Sequence, residues 1–185
     1  MAVLAQHYTK TVVPALKAQF GYTNAHEVPR LVKVVLNVGL PAGSKDAKLA
    51  ETAEQVLRRI SGQQPVKTLA KKSISNFKIR QGMVVGVMVT MRGKRMEAFV
   101  EKLIHITLPR VRDFRGLSSK TIDGGGNFSI GFKEFIAFPE IAPDEVERLH
   151  GLEVTVVTTA KTQDEGFALL KLLGFPFKDL SKDSN

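Results

Sequence analysis

The sequence contains no cysteine and no tryptophan. The lack of cysteine excludes disulfide bonds and metal sites built on thiolates, and it fits a reducing compartment. The longest run of residues that are all apolar or glycine is Met83–Val89, which is far too short to span a bilayer. Residues 1–10 also lack the apolar core of a secretory signal peptide. We therefore expect no membrane partner.

Acidic residues are missing from one long stretch in the middle of the chain. From Gln55 to Met96 there is no Asp or Glu, whereas ten residues are Lys or Arg. A solvated protein surface normally mixes charges of both signs, so these cations have few local partners. This stretch predicts contact with an external polyanion, and nucleic acid is the leading candidate because its phosphates attract basic patches.

The net charge of +9 is unevenly distributed over the 185 residues. Residues 1–70 carry a net charge of +5, residues 71–120 carry +9 and residues 121–185 carry −5. The acidic last third is explained either by a second, basic partner or by a need for solubility. The length and composition are typical of one globular domain, expected over residues 1–180, with a disordered tail at 181–185.

Hydrophobic periodicity predicts helices at residues 4–20, with a kink at Pro14, and at 46–61, 94–108 and 162–174. Thr162 and Glu165 form a capping box at the start of the last helix. Periodicity also predicts strands at 31–38, 65–70, 83–91 and 152–159, and a further one in the short apolar segment that follows the three glycines within 122–131. On the first strand, Val32, Val34, Leu36 and Val38 share the core face, and Lys33 and Asn37 share a half-polar face. This order predicts an α+β, ferredoxin-like antiparallel sheet with helices packed mainly on one face, plus an N-terminal helix and a long basic loop at 71–82.

Signatures of catalysis are incomplete. Ser119-Lys120-Thr121 resembles the end of a phosphate-binding loop, but Ser119 and Phe114 stand where that motif requires glycine. The triplet Gly124–Gly126 lacks the spacing of a dinucleotide-binding fingerprint and indicates a turn. The four histidines have no metal-ligand spacing. We therefore expect no enzymatic activity, no cofactor and no metal.

The aromatic content indicates how RNA would be bound. The basic stretch contains one aromatic residue, Phe77, whereas proteins that bind single strands usually stack bases on several. The RNA-recognition-motif signature is also missing. Recognition of folded RNA through its backbone and shape is the expected mode. Lys33 and Asn37 either add polar contacts to it or belong to an ordinary exposed strand face.

Several motifs of the chain match the pattern of one known family. The matching stretches are Asn37–Gly39, Lys71–Gly82, Pro109–Gly116, Phe138–Ile141 and Thr158–Lys161. Through them the chain resembles the family of the fifth protein of the large ribosomal subunit, and the likeness covers residues 8–177. The pairing of Arg-Asp-Phe-Arg-Gly with Phe-Pro-Glu-Ile downstream is highly specific for that family.

The resemblance implies a protein that binds 5S rRNA and helps attach it in the central protuberance, among neighbouring proteins and large-subunit rRNA. It also implies a contact with P-site tRNA and an intersubunit bridge to a protein of the small-subunit head. The implied 5S rRNA contacts are Lys33, Asn37, Lys67, Lys71 and Lys72. The implied tRNA contacts are Ser73, Ser75, Asn76, Phe77, Lys78, Arg80 and Gln81. The implied bridge residues are Arg110, Arg112, Asp113, Arg115, Glu140, Asp144 and Glu145.

One position departs from the family pattern. Family members commonly have Gly-Arg-Gly-Asn where this chain has Gly124-Gly125-Gly126-Asn127. The missing cation puts an RNA contact from this turn in doubt. Three hypotheses follow: a structural ribosomal protein of the cytoplasmic ribosome, a free-standing RNA chaperone or regulator with the same fold, and an enzyme, for which the sequence offers no site.

Overall fold

The computed structural model describes residues 3–41, 47–141 and 150–178. Its α-helices are α1 (Val3–His7), α2 (Val13–Phe20), α3 (Ala47–Ser61), α4 (Gly93–Lys102), α5 (Leu108–Arg110) and α6 (Gln163–Leu172). Its strands are β1 (Leu31–Gly39), β2 (Val66–Leu69), β3 (Val84–Met91), β4 (Phe128–Phe132) and β5 (Leu152–Thr158). The strands form one sheet in the order β2-β3-β1-β5-β4.

The sheet topology identifies the fold class. β3 lies between β1 and β2 and is antiparallel to both, while α3 stands between β1 and β2 in the chain and packs on β3. This is the split β-α-β unit of ferredoxin-like folds. The predicted α+β architecture, with its N-terminal helix, is confirmed.

Strand β1 separates a core face from a half-open face. Val34, Leu36 and Val38 have no solvent exposure, as predicted, because alternate residues of a strand point to the same side. Val32 was predicted on the same face but is 40% exposed, so that prediction is wrong at the start of the strand. Lys33 and Asn37, on the other face, are half-buried.

Gly86 allows the strands around β3 to approach closely. A Cβ atom at this position would lie 2.8 Å from the Val38 carbonyl oxygen and 2.9 Å from Thr68 Oγ1. Any larger residue would therefore push β1 or β2 away from β3.

Wider helical turns interrupt both long predicted helices. Between α1 and α2, the N–H of Val13 donates to the carbonyl of Tyr8, five residues earlier. Between α4 and α5, the N–H of Leu108 donates to the carbonyl of Leu103 in the same way. Each such turn takes in one residue more than an α-helical turn but spans only five residues, too few to stand out in a periodicity read over the whole segment. Pro14 directly follows the first of these turns, at the start of α2.

The last helix begins at the predicted capping box. Thr162 Oγ1 accepts a hydrogen bond from the Glu165 N–H at 3.3 Å, and Glu165 Oε2 accepts one from the Lys161 N–H at 2.7 Å. These bonds satisfy donors that a helix start leaves unpaired. Asp46, which was predicted to start α3, lies outside the described residues.

The chain forms two compact units. The first comprises residues 1–33, 92–129 and 155–185, and the second comprises 34–91 and 130–154. In the first unit, α1 packs against α4, and Phe128 meets Phe175 edge-on at 5.4 Å between ring centroids. In the second unit, Phe132 meets Phe138 in the same way at 5.4 Å. One domain over residues 1–180 stays a prediction, and the tail at 181–185 lies outside the described residues.

Candidate nucleic-acid interface

The acid-free stretch contains a small hairpin, which we call the basic hairpin (Lys71–Gly82). Ile74 and Ile79 form an antiparallel bridge, with backbone N–H to carbonyl distances of 2.9 and 3.1 Å. Between them, Ser75–Phe77 form one 3₁₀ turn. The Lys78 N–H closes this turn on the Ser75 carbonyl at 3.0 Å, and Lys78 has a left-handed backbone with φ of 54°. Only a few per cent of non-glycine residues adopt that conformation, so it marks Lys78 as a position under local constraint.

Further hydrogen bonds fix the base of the basic hairpin. The Gly82 N–H donates to the Ala70 carbonyl at 2.9 Å, and the Ala70 N–H donates to the Met83 carbonyl at 2.8 Å. The Gln81 N–H donates to Ser73 Oγ at 2.9 Å. The lack of hydrophobic periodicity here predicted an irregular loop. The structure instead shows a hydrogen-bonded framework, which positions the side chains that it carries.

The cations of the basic hairpin are exposed: Lys71, Lys72, Lys78 and Arg80. Within the described part of the chain, none of the four lies at ion-pair distance from a carboxylate. Their charge is therefore not neutralised by the part of the protein that is described. An exposed cluster of one sign is a surface that attracts a polyanion.

Lys67 differs from those four cations. Its Nζ lies 3.0 Å from Glu54 Oε2, across from α3 to β2. The hydrogen bond from Lys67 is the largest cause of a lowered pKa at Glu54, which also accepts from Gln64 Nε2. Glu54 directly precedes the acid-free stretch in sequence, so counting charges within the stretch missed this partner. Glu54 therefore already neutralises part of the charge of Lys67, and a role of Lys67 in RNA binding stays a prediction.

The half-open face of β1 is less basic than the sequence suggested. Asn37 Nδ2 donates to Glu153 Oε2 on β5 at 3.4 Å. The register places Asn37 opposite Met88 and Val35 opposite Thr90. The face near Asn37 therefore combines an amide, small apolar groups and a carboxylate. A phosphate that approached Asn37 would be repelled by Glu153.

The predicted bridge residues fall into three groups. Arg110, Arg112, Asp113 and Arg115 lie in the first unit and are exposed. Asp113 has a left-handed backbone with φ of 56°, and the segment after it is fixed by the Leu117 N–H, which donates to the Pro176 carbonyl at 2.8 Å. Glu140 lies in the second unit and is half-buried. Asp144 and Glu145 lie outside the described residues.

The glycine turn is held by one carboxylate. Asp123 Oδ1 accepts from the N–H groups of Gly125 and Asn127 at 3.0 and 2.8 Å, and Asp123 Oδ2 accepts from Asn127 Nδ2 at 2.9 Å. These hydrogen bonds, led by the one from the Asn127 side chain, lower the pKa of Asp123. Asn127 Oδ1 in turn accepts from the Thr158 N–H at 3.0 Å. The turn is thus internally fixed without a cation at Gly125.

Three further kinds of feature are relevant to function in the described residues: membrane-spanning helices, metal sites and cavities. No helix in the ranges given above combines the length and hydrophobicity needed to cross a membrane. Among those residues, no three or more His, Asp or Glu side chains group in a way that could hold a metal ion. One cavity of about 500 Å³ opens in the first unit beside Leu4, Tyr8, Arg30 and Met96.

Comparison with known proteins assigns the chain to a family. A model described as ribosomal protein L5 matches residues 24–80, and one described as the C-terminus of the same ribosomal family matches residues 84–177. The chain belongs to the ribosomal protein L5 family. It is therefore a structural, non-enzymatic constituent of the large ribosomal subunit in the cytoplasmic ribosome, with the rRNA-binding and translation roles of that family.

Curated relatives match over nearly their whole length. The large ribosomal subunit protein uL5 of Microcystis aeruginosa is 53% identical over 171 residues, which cover 92% of this chain and 96% of that protein. The uL5 protein of Fervidobacterium nodosum is 55% identical over 175 residues, covering 95% of each. That of Kocuria rhizophila is 55% identical over 171 residues, covering 92% of this chain and 90% of that protein. Of the three hypotheses, these matches favour the structural ribosomal protein.

Proposed function

We propose that this L5-family protein binds 5S rRNA and helps attach it in the central protuberance, that its basic hairpin reaches P-site tRNA, and that a third surface contacts a protein of the small-subunit head. The observation that carries the proposal is the basic hairpin, whose four exposed cations have no carboxylate partner in the described residues.

Two groups of cations on the basic hairpin serve the two RNAs. Lys71 and Lys72 stand at its base, next to the edge of the sheet, and would contact 5S rRNA phosphates together with Lys33. Asn37, which lies beside Glu153, would contact groups of the 5S rRNA other than phosphate. Lys78 and Arg80 stand at or beyond the turn and would contact tRNA. Backbone hydrogen bonds at both levels support this division, because they hold the base and the turn as separate positions.

The intersubunit contact rests on charge. The last third of the chain carries a net charge of −5, which suits a basic partner, and the resemblance implies that the small-subunit protein is basic. Glu140 would contribute to this surface. Arg110, Arg112 and Arg115, with Asp113 between them, form an exposed mixed-charge segment that would contribute a second set of contacts.

The test is binding of the full chain to purified 5S rRNA over a range of salt. If about six to ten cations contact phosphates, the affinity falls about 10³- to 10⁵-fold between 50 and 200 mM salt. An unrelated RNA of the same length as the 5S rRNA serves as the competitor that measures specificity. Affinity that ignores salt would contradict the proposal.

A further inference from the structure

Apolar side chains are concentrated on the surface next to the cations. Of the exposed large hydrophobic residues in the described part of the chain, Val66, Leu69, Ile74 and Phe77 fall within one stretch of β2 and the basic hairpin, at 64%, 57%, 45% and 58% exposure. The other two are Val32 and Ile106. Soluble proteins tolerate scattered exposed hydrophobic residues, but a cluster indicates an interaction site.

Phe77 is exceptional among the aromatic residues. All eleven phenylalanines of the chain are described, and the other ten are buried or half-buried. Phe77 has no ring contact within the described residues, whereas Phe128, Phe135 and Phe167 each pack on another ring. Its aromatic face is therefore open to a partner.

The backbone of the basic hairpin holds Phe77 in place. Phe77 ends the 3₁₀ turn that the Lys78 N–H closes on Ser75, and the Ile74–Ile79 bridge clamps both sides of that turn. Because the backbone that carries the ring is already fixed, binding of a ligand orders only the side-chain torsions of Phe77. The same turn places Lys78 next to it, with a charge that has no carboxylate partner in the described residues.

A partner for this tip must carry negative charge and a flat apolar surface. An unstacked nucleobase with its phosphate has both features, and stacking on aromatic side chains is a common way for proteins to hold such a base. The four cations of the basic hairpin favour RNA over an acidic protein segment, because phosphates occur at every nucleotide whereas an acidic, apolar peptide requires a special sequence.

We propose that Phe77, with Ile74 beside it in the basic hairpin, is a stacking platform for one unpaired nucleobase of the RNA that the hairpin contacts. This inference rests on the proposed contact with P-site tRNA and adds an energetic term that charge does not supply. It also adds base stacking to the expectation from sequence, which favoured recognition through backbone and shape.

The test compares ribosomes carrying the full chain with Phe77, Phe77→Ala, Phe77→Leu or Phe77→Trp. The measured quantity is the Kd of deacylated tRNA for the P site at 50, 100 and 200 mM salt. We expect Phe77→Ala and Phe77→Leu to weaken binding about 5- to 150-fold, the range of a single base stack, with an unchanged slope of log Kd against log salt. Phe77→Trp should bind within about twofold of the native protein, because its ring also stacks.

The controls separate this inference from the function on which it rests. Lys78→Gln with Arg80→Gln should lower the salt slope, and if it does not, the tRNA contact itself is wrong. If that slope changes but Phe77→Leu binds like the native protein, the contact is correct and stacking is wrong. Ile106→Ala, an exposed apolar residue elsewhere, should leave the Kd unchanged.

A crosslinking experiment identifies the partner directly. The photoreactive residue p-benzoylphenylalanine at position 77 should form crosslinks to an RNA nucleotide within the ribosome. Crosslinks to a protein alone would show that the exposed ring serves a protein contact, and would overturn the proposal.

Discussion

Two pairs of cations on the basic hairpin should act on different RNAs, so that replacing one pair weakens binding to 5S rRNA and replacing the other weakens the contact with tRNA. One variant carries Lys71→Gln and Lys72→Gln at the base, and the other carries Lys78→Gln and Arg80→Gln near the turn. All four side chains are exposed, so we expect both variants to fold with native thermal stability.

The magnitude follows from counterion release. Each phosphate contact contributes about 0.9 to the slope of log affinity against log salt, so loss of two contacts lowers the slope by about 1.8. When salt rises fourfold, from 50 to 200 mM, the affinity of the variant should therefore fall about 12-fold less than that of the native protein. The base variant should show this loss with purified 5S rRNA, whereas the turn variant should keep the native slope.

The assay is a salt titration of 5S rRNA binding by isothermal calorimetry or filter retention. Arg112→Gln with Arg115→Gln is the matched control, because it removes two exposed cations outside the proposed 5S rRNA contact. Equal changes of slope in all three variants would mean that 5S rRNA responds only to total charge. An unchanged slope in the base variant would refute the assignment of Lys71 and Lys72.

Three further predictions concern single residues. Arg80→Ala should change the free energy of unfolding by less than roughly 1 kcal/mol, since its side chain is exposed. It should also speed the dissociation of tRNA from the P site. A larger loss of stability in urea unfolding would show that Arg80 supports the fold instead. Gly126→Ala should destabilise the protein by about 2–4 kcal/mol, because the φ of Gly126 is 74° and an added Cβ atom would lie 2.5 Å from the Cβ of Ala160. Gly125→Arg should change the free energy of unfolding by no more than about 0.5 kcal/mol, because the nearest neighbour of its Cβ atom would be 3.4 Å away. Equal losses of stability in urea unfolding would contradict the geometry. Because the pKa of Asp123 is lowered in the folded protein, its carboxylate stabilises the fold above the ordinary pKa of 3.8, and this stabilisation is lost as the pH falls through the folded pKa. Asp123→Asn should therefore make stability depend less on pH in acid unfolding followed by circular dichroism. An identical loss of stability at low pH in both proteins would show that Asp123 does not contribute.

Element order and core faces were predictable because they depend on local periodicity. Leu36 and Val38 on β1, and the Thr162–Glu165 capping box, each carry a pattern within a few residues, and the structure confirms them. The π-type turn at Leu103–Thr107 was missed, because it spans only five residues within a longer segment of helical spacing.

Contacts between side chains that are distant in sequence were not predictable from the sequence alone. Lys67 meets Glu54, and Asn37 meets Glu153, only because the sheet register and the packing of α3 bring them together. The hairpin closed by Ile74 was also missed, because its bonds are between backbone atoms and its side chains follow no buried periodicity. The basic character of the stretch was predictable, since it depends on composition alone.

The position of the four hairpin cations in the assembled large subunit tests the central claim most directly. A cryo-EM structure of that subunit with this chain should place the side-chain nitrogens of Lys71, Lys72, Lys78 and Arg80, once P-site tRNA is bound, within roughly 4 Å of RNA phosphate oxygens. If these nitrogens instead face protein carboxylates or open solvent, the basic hairpin does not bind ribosomal RNA or tRNA, and the account is contradicted.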